Sequence, residues 1–502
     1  MTSAIVVGSG PNGLAAAVHL ARAGVEVTVL EAAPEIGGGV RSAEMIVPGL
    51  VHDQCSAVHP IAAASPFLRS LDLARLGLRW RAPIVDCAHP LDDGSAGLLY
   101  QSIDDTAAGL DGDAAHRTAG RSGASCARKA GRLSGDGARW HRLFTSLTSD
   151  FDRLFADISR PLLEVPRAPV LTARFGMAAL TPAAVVGRLW RGEAARALWA
   201  GVAAHTFWRL DHPMTSAVGL MILAAGHTHG WVVAEGGSQA IADALAADLA
   251  AHGGRTETGV RVGSAAELPP ADLLLLDVSP SAAADILGKR LPPRVARAYR
   301  RYRHGPGAFK VDFAIEGDVP WRAPGVADAG TVHLGGDAAE VMAGELATHR
   351  GHMPERPFVL VGQQYRADPG RSVGNIHPLW TYAHVPHGYD GDATEAIIAQ
   401  IERFAPGFRD QVVGMAVRST TEMSVYNPNY IGGDILSGES SPLQLLFRPR
   451  VARDPYFTGV PGTYLCSAST PPGAGAHGLC GANAATRALA AYNPPSRRPA
   501  EP

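Results

Sequence analysis

Cysteine is scarce. The 502-residue chain has five (Cys55, Cys87, Cys126, Cys466 and Cys480), an odd number, widely spread, with no CxxC pair and no Cys/His spacing of the zinc type. A disulfide framework, a structural metal and a dithiol redox centre are therefore all disfavoured, and no metal site is expected. A reducing, cytoplasmic compartment suits such a chain best. Net charge is almost absent as well: 45 Lys and Arg against 47 Asp and Glu give −2. No global field would draw the protein to nucleic acid or to an anionic membrane, and peripheral contact with a membrane is left open. Long hydrophobic runs are missing too. The most apolar stretch, residues 216–226 (SAVGLMILAAG), falls short of the ~20 residues a spanning helix needs and reads as a buried helix beside an apolar pocket. Aromatics are few, at 6%. The first strand begins within a few residues of Met1, so no signal peptide is expected.

Glycine, in contrast, is plentiful and placed. Ala4 to Val7 reads as a buried parallel strand, and Gly8, Gly10 and Gly13 follow it, with Pro11 and Asn12 between them. In this pattern the first glycine permits a sharp turn, the second a close approach of backbone to a pyrophosphate, and the third close packing of helix on strand. A helix from Asn12 to Ala23 would turn its free N–H groups toward the phosphates, and Gly24 would end it. A second strand, Glu26 to Leu30, stops at Glu31, about 20 residues beyond the glycines, where a carboxylate can accept hydrogen bonds from both hydroxyls of an adenosine ribose. Strand, glycine turn, helix, strand and carboxylate in one register point to a dinucleotide site.

A second glycine patch (Gly37, Gly38, Gly39) ending in Arg41 follows closely. It is similar to the extension that flavin enzymes of the glutathione-reductase type carry, and it favours FAD over NAD. Two distant segments read as the rest of the domain. In the first, a glycine pair (Gly236, Gly237) precedes an Ala/Leu helix from Ser238 to Ala251. A strand or hairpin is expected over residues 255–262, and a four-leucine strand, Leu273 to Leu276, ends in Asp277. In the second, a strand from Tyr464 to Ser467 leads through a Gly/Pro loop into a closing helix, Ala482 to Ala491, whose N-terminus can stabilise negative charge. The expected architecture is α/β: a discontinuous Rossmann-like FAD-binding domain of glutathione-reductase type (1–65, 230–290 and 441–495) with an interleaved α+β substrate domain (66–229 and 291–440). The first part of that substrate domain reads as helical, the second as short strands closed by a helix over 393–408. Residues 111–139, nearly devoid of large apolar side chains and rich in Arg and Lys, read as a flexible loop.

GSGPNGLAAA with LEAAPEIGGGVRS, and YLCSASTPPGAGAHGLCGANAA near the C-terminus, together resemble the phytoene desaturase-like flavoproteins. Within them the branch of pyridine nucleotide-disulphide oxidoreductase domain-containing proteins is closest in pattern, supported by residues 426–450 (YNPNYIGGDILSGESSPLQLLFRPR). The resemblance implies non-covalent FAD and removal of two hydrogens from a hydrophobic small molecule, with oxygen or a quinone taking the electrons. By the same resemblance Gly8, Gly10, Pro11, Asn12 and Gly13 would hold the diphosphate, and Glu31 with Ala32 the ribose. Gly38, Gly39 and Arg41 would meet the diphosphate and flavin, Val262 the adenine, and Ala468, Ser469, Gly478, Leu479 and Gly481 the ribityl chain and ring. Many flavoproteins carry an acidic residue near Ala468; none is present here.

For proton handling His59 and His477 are the candidates, because both fall within the flavin-side motifs. For each of them, as for His205, His227 and His229, a buried structural histidine is the competing reading. Residues 426–434, with Tyr426 and Tyr430, read equally as a roof over the site or as a turn-rich connector. Two further functional readings remain beside dehydrogenation. One is flavin amine oxidation, which would need an aromatic cage; the other is a non-catalytic FAD-binding scaffold.

Overall fold

A computed structural model describes residues 2–112, 135–161 and 163–492. Its first sheet has five parallel strands in the order Thr463–Leu465, Leu273–Leu276, Ser3–Val7, Glu26–Leu30, Arg255–Glu257. Val6 pairs with Leu275 on one side and Val29 on the other. A parallel sheet covered on both faces needs strands apolar throughout, which is why IVV and LLLL are unbroken. The helices Pro11–Arg22, Gln239–Ala251 and Leu479–Ala491 pack against one another and the sheet. Their facing residues are alanines, buried at Ala16, Ala17, Ala244 and Ala485. Gly481 lets the closing helix lie against the backbone of Asn12, where a Cβ would overlap the Asn12 carbonyl oxygen.

The second sheet has seven strands, in the order Val412–Arg418, Gly307–Glu316, Ile376–Val385, Val359–Gly362, Ala329–Leu334, Val85–Pro90, Ala96–Leu99. All neighbours are antiparallel except Ala329–Leu334 with Val85–Pro90. A helical layer covers it, with a core of tryptophans: Trp190 lies 5.4 Å from Trp140 and 5.7 Å from Trp199, centroid to centroid. Ser216–His229 is a helix of this layer, its Leu220, Leu223 and Ala224 buried.

Three expectations are corrected. The segment 66–229 is not wholly helical, since it supplies two strands of the second sheet. VDCAHP at Val85–Pro90 is buried at every position, so it shows no two-residue alternation, and a short apolar run cannot be told from a helical turn by pattern alone. The strand expected over 255–262 stops at Glu257; beyond it the Gly259 and Val260 amides donate to Ala33 and Glu31 carbonyls instead, so the chain follows the glutamate loop. The loop expected over 111–139 does not extend to Arg139, because Gly135–Arg139 opens the helix Gly135–Thr148. Trp140, Phe144 and Leu147 bury one face of that helix, and the Asp136 carboxylate accepts the Arg191 and Gly192 amides. Residues 113–134, with Cys126, lie outside the described residues.

Candidate active site

At the carboxyl end of the opening strand the chain turns through Gly8, which has φ +99°. Ser9 donates to Glu31 Oε2 from its amide (2.8 Å) and its hydroxyl (2.6 Å), and Ala33 donates to Oε1 (2.8 Å). Glu31 is thereby fixed in orientation, with acceptor capacity remaining on Oε1. Gly37 (φ +113°) and Gly38 (φ +53°) carry the second glycine turn. Above it lies the 426–430 segment, which makes it a roof. Tyr426 donates its hydroxyl to the Gly38 carbonyl at 2.7 Å, and Arg41 reaches the Tyr426 carbonyl at 2.9 Å. Arg41 and Arg418 approach the Tyr426 ring to 4.3 and 4.7 Å. Gly39 is needed because a Cβ there would overlap the Tyr430 hydroxyl.

These features line one cavity of about 1470 Å³. Gly8, Gly10, Pro11, Asn12, Glu31, Ala32, Gly38, Gly39, Arg41, Val262, Ala468 and Ser469 all border it, as do His59 and His477. Gly13, Gly478, Leu479 and Gly481 are not on its wall. Gly13 donates its amide to Asp277 Oδ2 (2.8 Å) beneath the turn. The other three seat the closing helix: a Cβ on Gly478 would stand 2.8 Å from that of Ala15, and the Leu479 amide donates to His477 Nδ1 at 3.0 Å. Among the described residues, five on the wall have buried polar atoms that no protein group satisfies: Asn12 Oδ1, His59 Nδ1, Ser159 Oγ, Arg448 Nε and Ser467 Oγ. Buried polar groups are normally paired. Unpaired donors and acceptors beside a glycine turn and a helix N-terminus fit the hydroxyls and phosphates of a dinucleotide.

The remainder of the cavity is an apolar chamber that sequence reasoning did not assemble. Phe175, Met221, Trp231, Leu360, Trp380 and Tyr382 line it. Trp380 and Tyr382 alternate on one strand of the second sheet, facing each other edge-on at 5.0 Å. Trp380 is held by a bond from its indole N–H to the Cys55 carbonyl (3.0 Å), with the buried Lys310–Asp312 pair behind it. The residues come from four separated segments, of which only 216–226, with Met221, was marked by its pattern as lying beside an apolar pocket. Asp277 also belongs to the site. Its signal was its place at the end of a strand adjoining the opening one. Burial pushes its carboxyl up to about 7, against the pull of the Gly13 amide, and the charge of Glu31 adds to the rise.

His59 and His477 are both on the wall, and burial lowers both to about 4. His477 Nδ1 accepts the Leu479 amide, so its neutral ring carries the proton on Nε2 and has no free basic nitrogen. His59 is different: Nε2 meets Ser238 Oγ at 2.8 Å, and Nδ1 is buried without a protein partner. Among the described residues no group of three His, Cys, Asp or Glu could hold a metal.

These neutral histidines predict a pH response. His59, His89, His227 and His477 are lowered to about 4 and His205 to about 3, all by burial. As pH falls below 6.5 the unfolded chain takes up protons that the folded chain refuses, so stability is lost toward pH 4. Asp86 and Asp277, raised to about 7 from 3.8, act oppositely, keeping protons in the folded state that the unfolded chain has released. Five groups outweigh two, for a net loss on the order of 5 kcal/mol between pH 7 and 5. Thermal unfolding should show the melting temperature highest near neutrality and dropping steeply below pH 6.5; a flat or rising profile down to pH 5 would contradict this burial pattern.

Fold and site together are those of a Rossmann-type dinucleotide-binding architecture. Residues 6–71 match the family model of the NAD(P)-binding Rossmann-like domain. Over 96% of its length the chain is 23% identical to pyridine nucleotide-disulfide oxidoreductase domain-containing protein 2 of Rattus norvegicus, covering 92% of that protein. This similarity bears out the resemblance read from the sequence. Among solved structures, an oxidoreductase from Methanosarcina mazei has a TM-score of 0.60 at 15% identity, over 97% of this chain and 100% of that one. Cyclohexylamine oxidase from Brevibacterium oxydans has a TM-score of 0.52 at 16% identity, over 98% of each chain. The structures share the fold.

Proposed function

We propose that the protein binds FAD and removes two hydrogens from an uncharged, hydrophobic small molecule. One observation carries this reading: the ribose carboxylate, the glycine turns and the apolar chamber border one continuous cavity of about 1470 Å³. That exceeds the ~300–1,000 Å³ of an ordinary small-molecule site and leaves room for a dinucleotide and a second molecule. When bound, FAD would supply a two-electron acceptor, to be reoxidised by oxygen or a quinone.

The chain's own residues do the rest. Glu31 would receive the ribose hydroxyls, and Asn12 with the N-terminus of the helix Pro11–Arg22 would meet the diphosphate. Arg41 stays occupied with the Gly38 and Tyr426 carbonyls, and so shapes the wall on the flavin side. Phe175, Met221, Leu360 and Trp380 would exclude water and hold an apolar substrate by burial alone. Of the two histidines in the flavin-side motifs, His59 is the one with a nitrogen free to take a proton: when its Nε2–H donates to Ser238, Nδ1 is the accepting nitrogen. His477 serves as a cap on the closing helix.

Amine oxidation is the second reading. Trp231, Trp380 and Tyr382 together supply an aromatic wall that could face a cation. The first measurement is the absorbance spectrum of the purified protein, with identification of any chromophore released by heat. Flavin bands and released FAD are expected. Anaerobic bleaching by apolar alkenes, alcohols or lipids but not by amines supports dehydrogenation, and the reverse supports amine oxidation. Bleaching by neither class, with FAD bound, would leave the scaffold reading.

A further inference from the structure

Residues 165–192 contain no acidic side chain and four arginines, Arg167, Arg174, Arg188 and Arg191, all exposed. None of the four forms an ion pair among the described residues. The same stretch exposes large apolar side chains: Val165 (85%), Val170 (73%), Met177 (70%), Leu180 (56%), Val185 and Leu189. On the helix Pro169–Ala179, Val170, Ala173, Arg174 and Met177 are exposed at spacings of three, four and seven, with Leu180 continuing the row, while Phe175 and Ala179 point into the protein. The outward stripe of a surface helix is ordinarily polar. Here it is apolar and bears only positive charge.

The stripe also adjoins the chamber. Pro169, Ala173 and Leu180 are exposed and at the same time line the cavity, so they form part of its rim. The next helical pieces, Ala183–Leu189, turn 90° from Pro169–Ala179, and neither segment is long enough to cross a bilayer. A short amphipathic helix with arginines among apolar side chains suits the boundary between headgroups and acyl chains of an anionic leaflet.

We infer that residues 165–189 are a docking surface for an anionic lipid bilayer, against which the substrate chamber opens. A hydrophobic substrate dissolved in the bilayer could then enter without crossing water. That delivery role rests on the chamber being the substrate site; the docking does not, and it is measured without turnover.

The test is co-sedimentation of the full-length protein with phosphatidylcholine vesicles with and without phosphatidylglycerol. Binding to the anionic vesicles is expected. Each arginine near an anionic leaflet contributes about a fivefold factor, so Arg174→Glu/Arg188→Glu should weaken binding at least about 25-fold. Val170→Asp/Met177→Asp should weaken it at least about tenfold. The control Val413→Asp/Met415→Asp, on the half-exposed edge strand of the second sheet, should bind as the parent does. Circular dichroism and melting temperature report folding of every variant, and either of the first two pairs suffices if the other fails to fold. Absence of binding by the parent, parental binding by both stripe variants, or loss of binding by the control would each overturn the proposal. So would a parent dimer that Val170→Asp/Met177→Asp converts to monomer, since the stripe would then serve a second copy of the chain.

Discussion

Gly13→Ala is expected to yield a folded protein without bound dinucleotide. A Cβ at this position would overlap the Gly8 carbonyl oxygen and stand 2.9 Å from Asp277 Oδ2. Neither neighbour can yield. Gly8 is held by its amide bond to the Leu30 carbonyl (2.8 Å), and Asp277 is buried and bonded to the Gly13 amide itself. The helix must therefore move off the strand, at ~1–3 kcal/mol of overpacking. Its N-terminal amides lose their aim at the phosphates, and we expect FAD affinity to fall by about 100-fold or more, equivalent to ~2.7 kcal/mol. Gly24→Ala is the matched control. Gly24 has φ +84° but nothing within 4 Å of a Cβ, so it should cost about 1 kcal/mol in stability and leave binding intact. FAD titration of both variants measures the contrast; undiminished affinity in Gly13→Ala would refute the assigned role of the turn.

Arg371→Met is expected to destabilise the fold severely. The guanidinium, 1% exposed, bridges Asp53 and Asp368 and also donates to the Ala234 carbonyl. The same carboxylates accept the Ser238 amide and the Gly236 amide, each at 2.7 Å. The arginine thus ties three chain segments together behind His59, whose ring bonds Ser238. Burial alone would raise the Asp53 carboxyl; the charge of Arg371 and the Ser238 amide more than reverse this and hold it below the usual range. Methionine in place of arginine leaves two buried carboxylates without their cation, at ~3–5 kcal/mol. Because Asp53 would then take up a proton more readily, the deficit should shrink as pH falls from 7 to 5. Urea unfolding at both pH values measures it, and a loss under about 1 kcal/mol at pH 7 would show that the network is not the tie described.

The cofactor half was legible because it is local. Gly8 to Glu31 compresses turn, helix, strand and strand-end carboxylate into one stretch, where the backbone requirements of a Rossmann-type glycine turn leave few residue choices. The roof over 426–430 was legible only as one of two alternatives, since a turn-rich segment looks the same whether or not something lies beneath it. The roles of His59 and His477 were not separable by sequence. Both fall in flavin-side motifs, and only the hydrogen bond from the Leu479 amide distinguishes a helix cap from a ring with a free nitrogen.

What this sequence determined alone is therefore a Rossmann-type glycine turn, a carboxylate at the end of the second strand and an unbroken parallel-sheet core, each set by neighbouring residues through backbone geometry and apolar periodicity. The chamber was decided only by tertiary structure. Phe175, Met221, Trp231, Leu360 and Trp380 lie far apart along the chain and become one surface when the second sheet and the helical layer close over each other. The rim helix Pro169–Ala179 is of the same kind. Its apolar pattern is that of any amphipathic helix, and packing alone determines that Phe175 and Ala179 face inward while Val170 and Met177 face solvent.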